Sequence, residues 1–167
     1  MNASKTRLLI AVLLACGVGA AATASAADTT TFDVTITITA TCDIEAAAAT
    51  DVDFGTVASS AVNIDSSGSL TVNCTPGTAY NIALDSGQNG ADADSRAMTD
   101  GSVLVPYQLY REAARGAGDV WGSTIGTNTL AGTGDGANQA FPVYGRVPSA
   151  SFPAGVYADV ITATVIY

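Results

Sequence analysis

The chain has 167 residues, with 6 Lys and Arg, 15 Asp and Glu, no His, and a formal charge of −9. That length allows one ordinary domain, and a composition 48% apolar and 13% charged is that of a packed core rather than a disordered chain. Without His there is no Ser-His-Asp or Cys-His arrangement and no His-ligated zinc or haem site, and the acidic balance argues against nucleic acid as a partner. No enzyme is expected, and no catalytic residues, metal or cofactor. Seventeen Gly among many Thr, Ser and Ala indicate a turn-rich β protein.

Residues 1–26 read as a secretory signal. Lys5 and Arg7 precede the apolar run Leu8 to Ala15, and small residues lead to Ala24-Ser25-Ala26, a small-x-small cleavage site. The run is too short to span a membrane. Leu13-Leu14-Ala15-Cys16 also resembles a lipoprotein box, so lipidation at Cys16 stands as the alternative. Cleavage after Ala26 leaves 141 residues with four Arg, no Lys and 15 acids, a net −11. Such a surface stays soluble and repels anionic lipid and nucleic acid.

Two cysteines remain, Cys42 and Cys74. In an exported chain they are expected to form a structural disulfide; a metal or redox pair needs closer spacing or more ligands.

Residues 31–41 alternate strictly. Phe32, Val34, Ile36, Ile38 and Ala40 make one face, and Thr31, Asp33, Thr35, Thr37, Thr39 and Thr41 the other. The pattern suits a half-buried strand of the chain's own sandwich, or a detachable strand that completes a neighbour. Ile44 to Ala49 is helix-like but too short to stand alone. Further β-prone runs are Val52–Val57, Ser69–Cys74, Tyr80–Leu84, Val103–Arg111, Phe141–Val147 and Val156–Tyr167. Turn signals separate them at Asp65-Ser66-Ser67-Gly68, Asp85 to Gly90 and Gly132 to Gly136. With Thr31–Ala40 this makes about seven strands, the number of an all-β sandwich. In the last run Tyr157, Asp159, Ile161, Ala163, Val165 and Tyr167 share a face. No polar tail follows Tyr167, so this strand is expected to dock, and its uncovered edge would invite pairing.

Other clusters carry less. Tyr107, Tyr110, Arg111 and Arg115 read as core packing plus a cation stacked on a ring, and Trp121 as a core or loop anchor. Asp92, Asp94 and Asp100 do not complete a calcium loop.

The order of these motifs resembles the spore coat protein U domain family, which includes the pilins of archaic chaperone–usher pili. The matching pieces are the alternating tail ahead of Cys42, then Asp53-Phe54-Gly55, Val72 to Tyr80 and Leu84-Asp85-Ser86-Gly87. Tyr107 to Arg115, Trp121-Gly122, Phe141 to Pro148 and Gly155 to Asp159 complete the set. The resemblance implies an all-β, incomplete immunoglobulin-like sandwich of about seven strands, completed by a donor strand from another chain. It divides the chain into a signal (1–26), a donor-strand extension (27–41) and a pilin-like domain (42–167). Phe32, Val34, Ile36 and Ile38 would be the donor face. Cys42 and Cys74 correspond to the family cysteine pair, and the terminal strand with Ile161, Ala163, Val165 and Tyr167 would flank the acceptor groove. The implied partners are a periplasmic chaperone, an outer-membrane usher and neighbouring copies or related pilins. The implied location is the periplasm in transit, then a surface fimbrium or secreted coat. A coat layer and a monomeric binding module are the alternatives to a fibre subunit.

Overall fold

Cys42 stands opposite Cys74 where β1 (Cys42–Thr50) runs antiparallel to β2 (Val62–Cys74), and a disulfide joins the two. The structure is a computed structural model that describes residues 27–167, apart from the side chains of residues 45–49; the signal expected at 1–26 and Cys16 lie outside the described residues. Contacts divide the chain after Thr37. Residues 27–37 carry no strand or helix, and the body begins at Ile38.

Two sheets and a small ribbon make that body. On the far side of β2 lies β8 (Asn138–Ser149), paired from Val62↔Ser149 to Asn73↔Asn138. Next to β8 comes the short β6 (Gln108–Tyr110), giving the order β1-β2-β8-β6. The second sheet has the order β7-β3-β9, from Leu130–Thr133, Ala79–Leu84 and Ala163–Ile166. Ala97–Thr99 (β4) and Leu104–Pro106 (β5) form the ribbon, and Ala117–Asp119 makes one 3-10 turn. Between the sheets lies a core of Val72, Tyr80, Ile82, Leu84, Tyr107, Leu109, Trp121 and Val143 with neighbours. Alternate residues of each strand feed it, as a sandwich requires. Trp121 is fully buried, and its indole N–H donates to the Ile82 carbonyl at 2.9 Å.

The all-β expectation stands, with nine strands among the described residues instead of about seven, and the boundaries move for physical reasons. Ile44–Ala49 lies within β1: so short a helix cannot nucleate, while Ile44 and Glu45 pair with Val72 and Thr71 of β2 before the register shifts ahead of Thr50. Asp65-Ser66-Ser67-Gly68 is the middle of β2, not a turn. Asp65 is held by Arg146 across the ladder, and Gly68 is where Thr50 passes so close that a Cβ would strike its carbonyl oxygen. Val52–Val57 makes no ladder. The Asp53 carboxylate caps the Gly55 amide at 2.8 Å and Gly55 takes φ +67°, a turn geometry. Val52 and Phe54 still reach the core, over Gly145 of β8. Val103–Arg111 breaks in two at Tyr107, whose amide donates to the Arg96 carbonyl. From Val156–Tyr167 only Ala163–Ile166 is laddered, while Ala158 bridges to Thr99. Gly132, read as part of a turn, belongs to β7, where the Tyr80 ring covers it.

The alternating run Thr31–Ala40 forms no strand in this chain. Among the described residues it pairs with no strand of this chain.

Candidate functional site

Edge strands carry unpaired N–H and C=O groups that can template another strand. Among the described residues β1 pairs only with β2, and β9 only with β3, through Leu84↔Ala163 to Asn81↔Ile166. These two edge strands, one from each sheet, are in contact. Among the described residues nothing pairs with the outer edge of β9.

The inward face at this seam is apolar and incompletely covered. Ile161, Ala163 and Val165 are each half-buried against the core, as are Cys42 and Ile44 on the β1 side. The intervening Thr162, Thr164 and Ile166 are exposed, and Tyr167 is 61% exposed. The period-2 pattern thus places Ile161, Ala163 and Val165 together, with Tyr167 left outside the core.

Ahead of β1 the chain leaves from a fixed point. The Thr75 amide donates to the Thr41 carbonyl at 2.9 Å, the Thr41 amide donates to Thr75 Oγ1 at 3.1 Å, and the disulfide follows immediately. Before that point, Phe32 is 82%, Val34 85%, Ile36 85% and Ile38 75% exposed. Large apolar side chains in alternation are the composition of a strand with one face to bury.

A second feature lies at the entry to β9, and sequence reasoning missed its centre. Arg96 is 1% exposed. Its guanidinium donates to the carbonyls of Asp85 (2.9 Å), Trp121 (2.7 Å), Ala93 (3.3 Å) and Leu84 (3.4 Å). Burial pushes its pKa down, while the neighbouring Tyr107, Asp85 and Asp159 push it back up. The Tyr107 hydroxyl donates to Asp159 Oδ2 at 2.7 Å. Burial, then that carboxylate, raises the Tyr107 hydroxyl far above its ordinary value. For Asp85, burial acts upward but is outweighed by hydrogen bonds from Thr162 and Gly87 and by the Arg96 charge, which hold the carboxyl below its usual range. No motif in the sequence singles out Arg96; only the buried carbonyls around it reveal its role.

The remaining clusters are structural. The Arg115 guanidinium stacks on the Tyr144 ring at 5.5 Å, a partner outside the patch of Tyr107, Tyr110, Arg111 and Arg115. Arg111 donates to the carbonyls of Gly118 and Thr129. Asp92 and Asp100 cap turns, accepting the amides of Asp94 and of Ser102 and Val103.

The fold is similar to a chain in the crystal structure of the CsuC–CsuE chaperone–tip adhesion subunit pre-assembly complex from archaic chaperone-usher Csu pili of Acinetobacter baumannii. The TM-score is 0.58 at 23% identity, covering 78% of the present chain and 40% of that one. The present chain therefore spans well under half the length of its structural relative. A search of curated proteins gave no match. The Spore Coat Protein U domain matches residues 28–164, nearly all of the body described above together with the segment ahead of it. The chain belongs to the Spore Coat Protein U domain family.

Proposed function

We propose that the chain is a secreted structural subunit that polymerises by donor-strand exchange into a chaperone–usher surface fibre serving adhesion and biofilm formation. The signal at 1–26 directs export, 27–41 is the donor extension and 42–167 the acceptor domain. A periplasmic chaperone holds the subunit by lending a strand, and at the outer-membrane usher the extension of the next copy or a related pilin replaces it. The observation that carries this reading is the conjunction of two unfinished halves. One is an alternating segment with no ladder and exposed Phe32, Val34, Ile36 and Ile38; the other is the unpaired edge of β9 over half-buried Ile161, Ala163 and Val165. The chaperone–subunit complex named for the structural relative lends support to a chaperone partner.

The magnitudes favour a durable joint. Burying four large side chains at about 1.5–3 kcal/mol each gives roughly 6–12 kcal/mol before the entropy of association. Edge hydrogen bonds add directionality.

The test is an unboiled SDS gel of the protein co-expressed with its chaperone and usher. Wild type gives a ladder of multimers that collapses on boiling. A form lacking residues 27–38, or carrying Ile36→Asp or Ile38→Asp, reaches the periplasm and gives none. A full ladder from the truncated form refutes the reading. The family's description favours a coat layer as the second reading; negative-stain microscopy separates the two, as sheets instead of fibres.

A further inference from the structure

Three sequence motifs contribute nothing to strand exchange as described: Leu84 to Gly87, Tyr107 to Arg111, and Tyr157 to Asp159. The fold brings one carboxylate or hydroxyl from each to the entry of β9. Asp85 Oδ1 accepts the amides of Gly87 and Thr162, each at 3.0 Å, and the Asp85 amide donates to the Thr162 carbonyl at 3.1 Å. Asp159 Oδ1 accepts the Gln88 amide at 2.9 Å and Asn89 Nδ2 at 3.1 Å, while Oδ2 accepts the Tyr107 hydroxyl. Gly87, at φ +75°, lies so close to Asp159 that a Cβ there would overlap the carboxylate.

These bonds sit where the ladder is thinnest. β9 pairs with β3 over only four residues, and the chain from 159 to 162 lies outside that ladder. What fixes it is Asp159 at one end and the reciprocal Asp85–Thr162 bonds at the other. Ile161 lies between these anchors and Ala163 directly after them, on the inward face of the edge that a donor would meet. A partly buried network of this kind is rigid only while each member keeps its partner.

We infer that Asp85 and Asp159 are positioning residues that set the course of residues 159–163, so that the free edge of β9 is preformed for an incoming strand. The inference rests on the strand-exchange reading. It predicts that loosening the anchors weakens strand capture more than it weakens the fold.

The experiment measures binding of a fluorescently labelled peptide of residues 27–41 to the mature chain, at a temperature where every variant retains native Trp121 fluorescence. Asp159→Ala is expected to bind at least tenfold more weakly, and Asp159→Asn, which keeps an oxygen acceptor, to recover most of that loss. Gly87→Ala displaces the carboxylate without deleting it and is the second variant, in case Asp159→Ala does not fold; the same weakening is expected. Leu109→Ala, a cavity on β6 at the opposite edge of the other sheet, controls for general destabilisation and should leave affinity within twofold. Wild-type affinity in Asp159→Ala or Gly87→Ala, or an equal loss in Leu109→Ala, overturns the positioning role. Absence of peptide binding by wild type overturns the strand-exchange reading itself.

Discussion

Replacing Arg96 by Met is the sharpest test of what holds the domain together. Met keeps the length and apolar volume of the side chain but removes the donors. Three short charge-assisted bonds, two to the Asp85 carbonyl and one to that of Trp121, are lost along with two longer ones. At about 1.5–3 kcal/mol for each of the two carbonyls held by short bonds, and with these left buried and unpaired, the net cost is about 3–5 kcal/mol after Met recovers some packing. That is a large part of a typical domain stability of about 5–15 kcal/mol. The chain contains a single Trp, and Trp121 belongs to this network, so its fluorescence reports the transition directly. With a urea slope of about 2 kcal/mol/M, the midpoint of the oxidised mature chain should fall by roughly 1.5–2.5 M. Arg146→Met is the control. Its bidentate pair with Asp65, at 2.7 and 2.9 Å, is partly exposed, and such pairs contribute about 0–1 kcal/mol. Equal midpoint shifts for the two variants would refute the claim that the buried fork, rather than charge pairing in general, stabilises this fold.

Replacing both Cys42 and Cys74 by Ala should cost about 3.5–4 kcal/mol, mainly by freeing the denatured chain; the urea midpoint relative to the oxidised parent measures it. The acid limb should depend on Asp85: its folded pKa lies below its ordinary 3.8, so its contribution is complete above that value and drains away as pH falls through the folded one. Asp85→Asn should therefore flatten stability against pH between about 5 and 2. The alkaline limb has the opposite origin. Tyr107 is raised above its ordinary 10.0, so its contribution is whole below pH 10 and is lost as the pH climbs towards the folded value. Tyr107→Phe should lessen the decline in urea midpoint from pH 9 to 11 without abolishing it, because Tyr80 and Tyr157 are raised as well.

Period-2 alternation was the legible part of this molecule. It placed Ile161, Ala163 and Val165 on one inward face, and it grouped Phe32, Val34, Ile36 and Ile38, which are all exposed, on one face of the segment ahead of β1. Which strands pair was not legible, because alternation is the same for a strand that pairs in its own chain and one that does not. Turn signals misled where a polar run had a tertiary reason to be extended. Asp65 to Gly68 carries the residues of a turn, yet Arg146 across the ladder and the close passage of Thr50 keep it in β2. Arg96 was invisible for a related reason. A guanidinium satisfied by backbone carbonyls leaves no complementary residue type in the sequence to betray it.

The edge of β9 is unusual in what it lacks. Exposed edges in stable proteins are blunted by charge, Pro, a bulge or a covering segment. Of 15 acids in the chain, none falls in 160–167, nor does any Lys, Arg, Pro or Gly. The acids lie elsewhere in the chain, so that residues 27–167 carry a net −11 while this apolar edge carries no charge. The segment fitted to such an edge must not bring much of that charge with it. Residues 27–41 carry only Asp28 and Asp33, and Asp33 points to the face opposite Phe32, Val34, Ile36 and Ile38 in an extended strand. On the strand-exchange reading, charge and hydrophobicity are thus partitioned so that bodies repel one another while a tail and an edge can still meet.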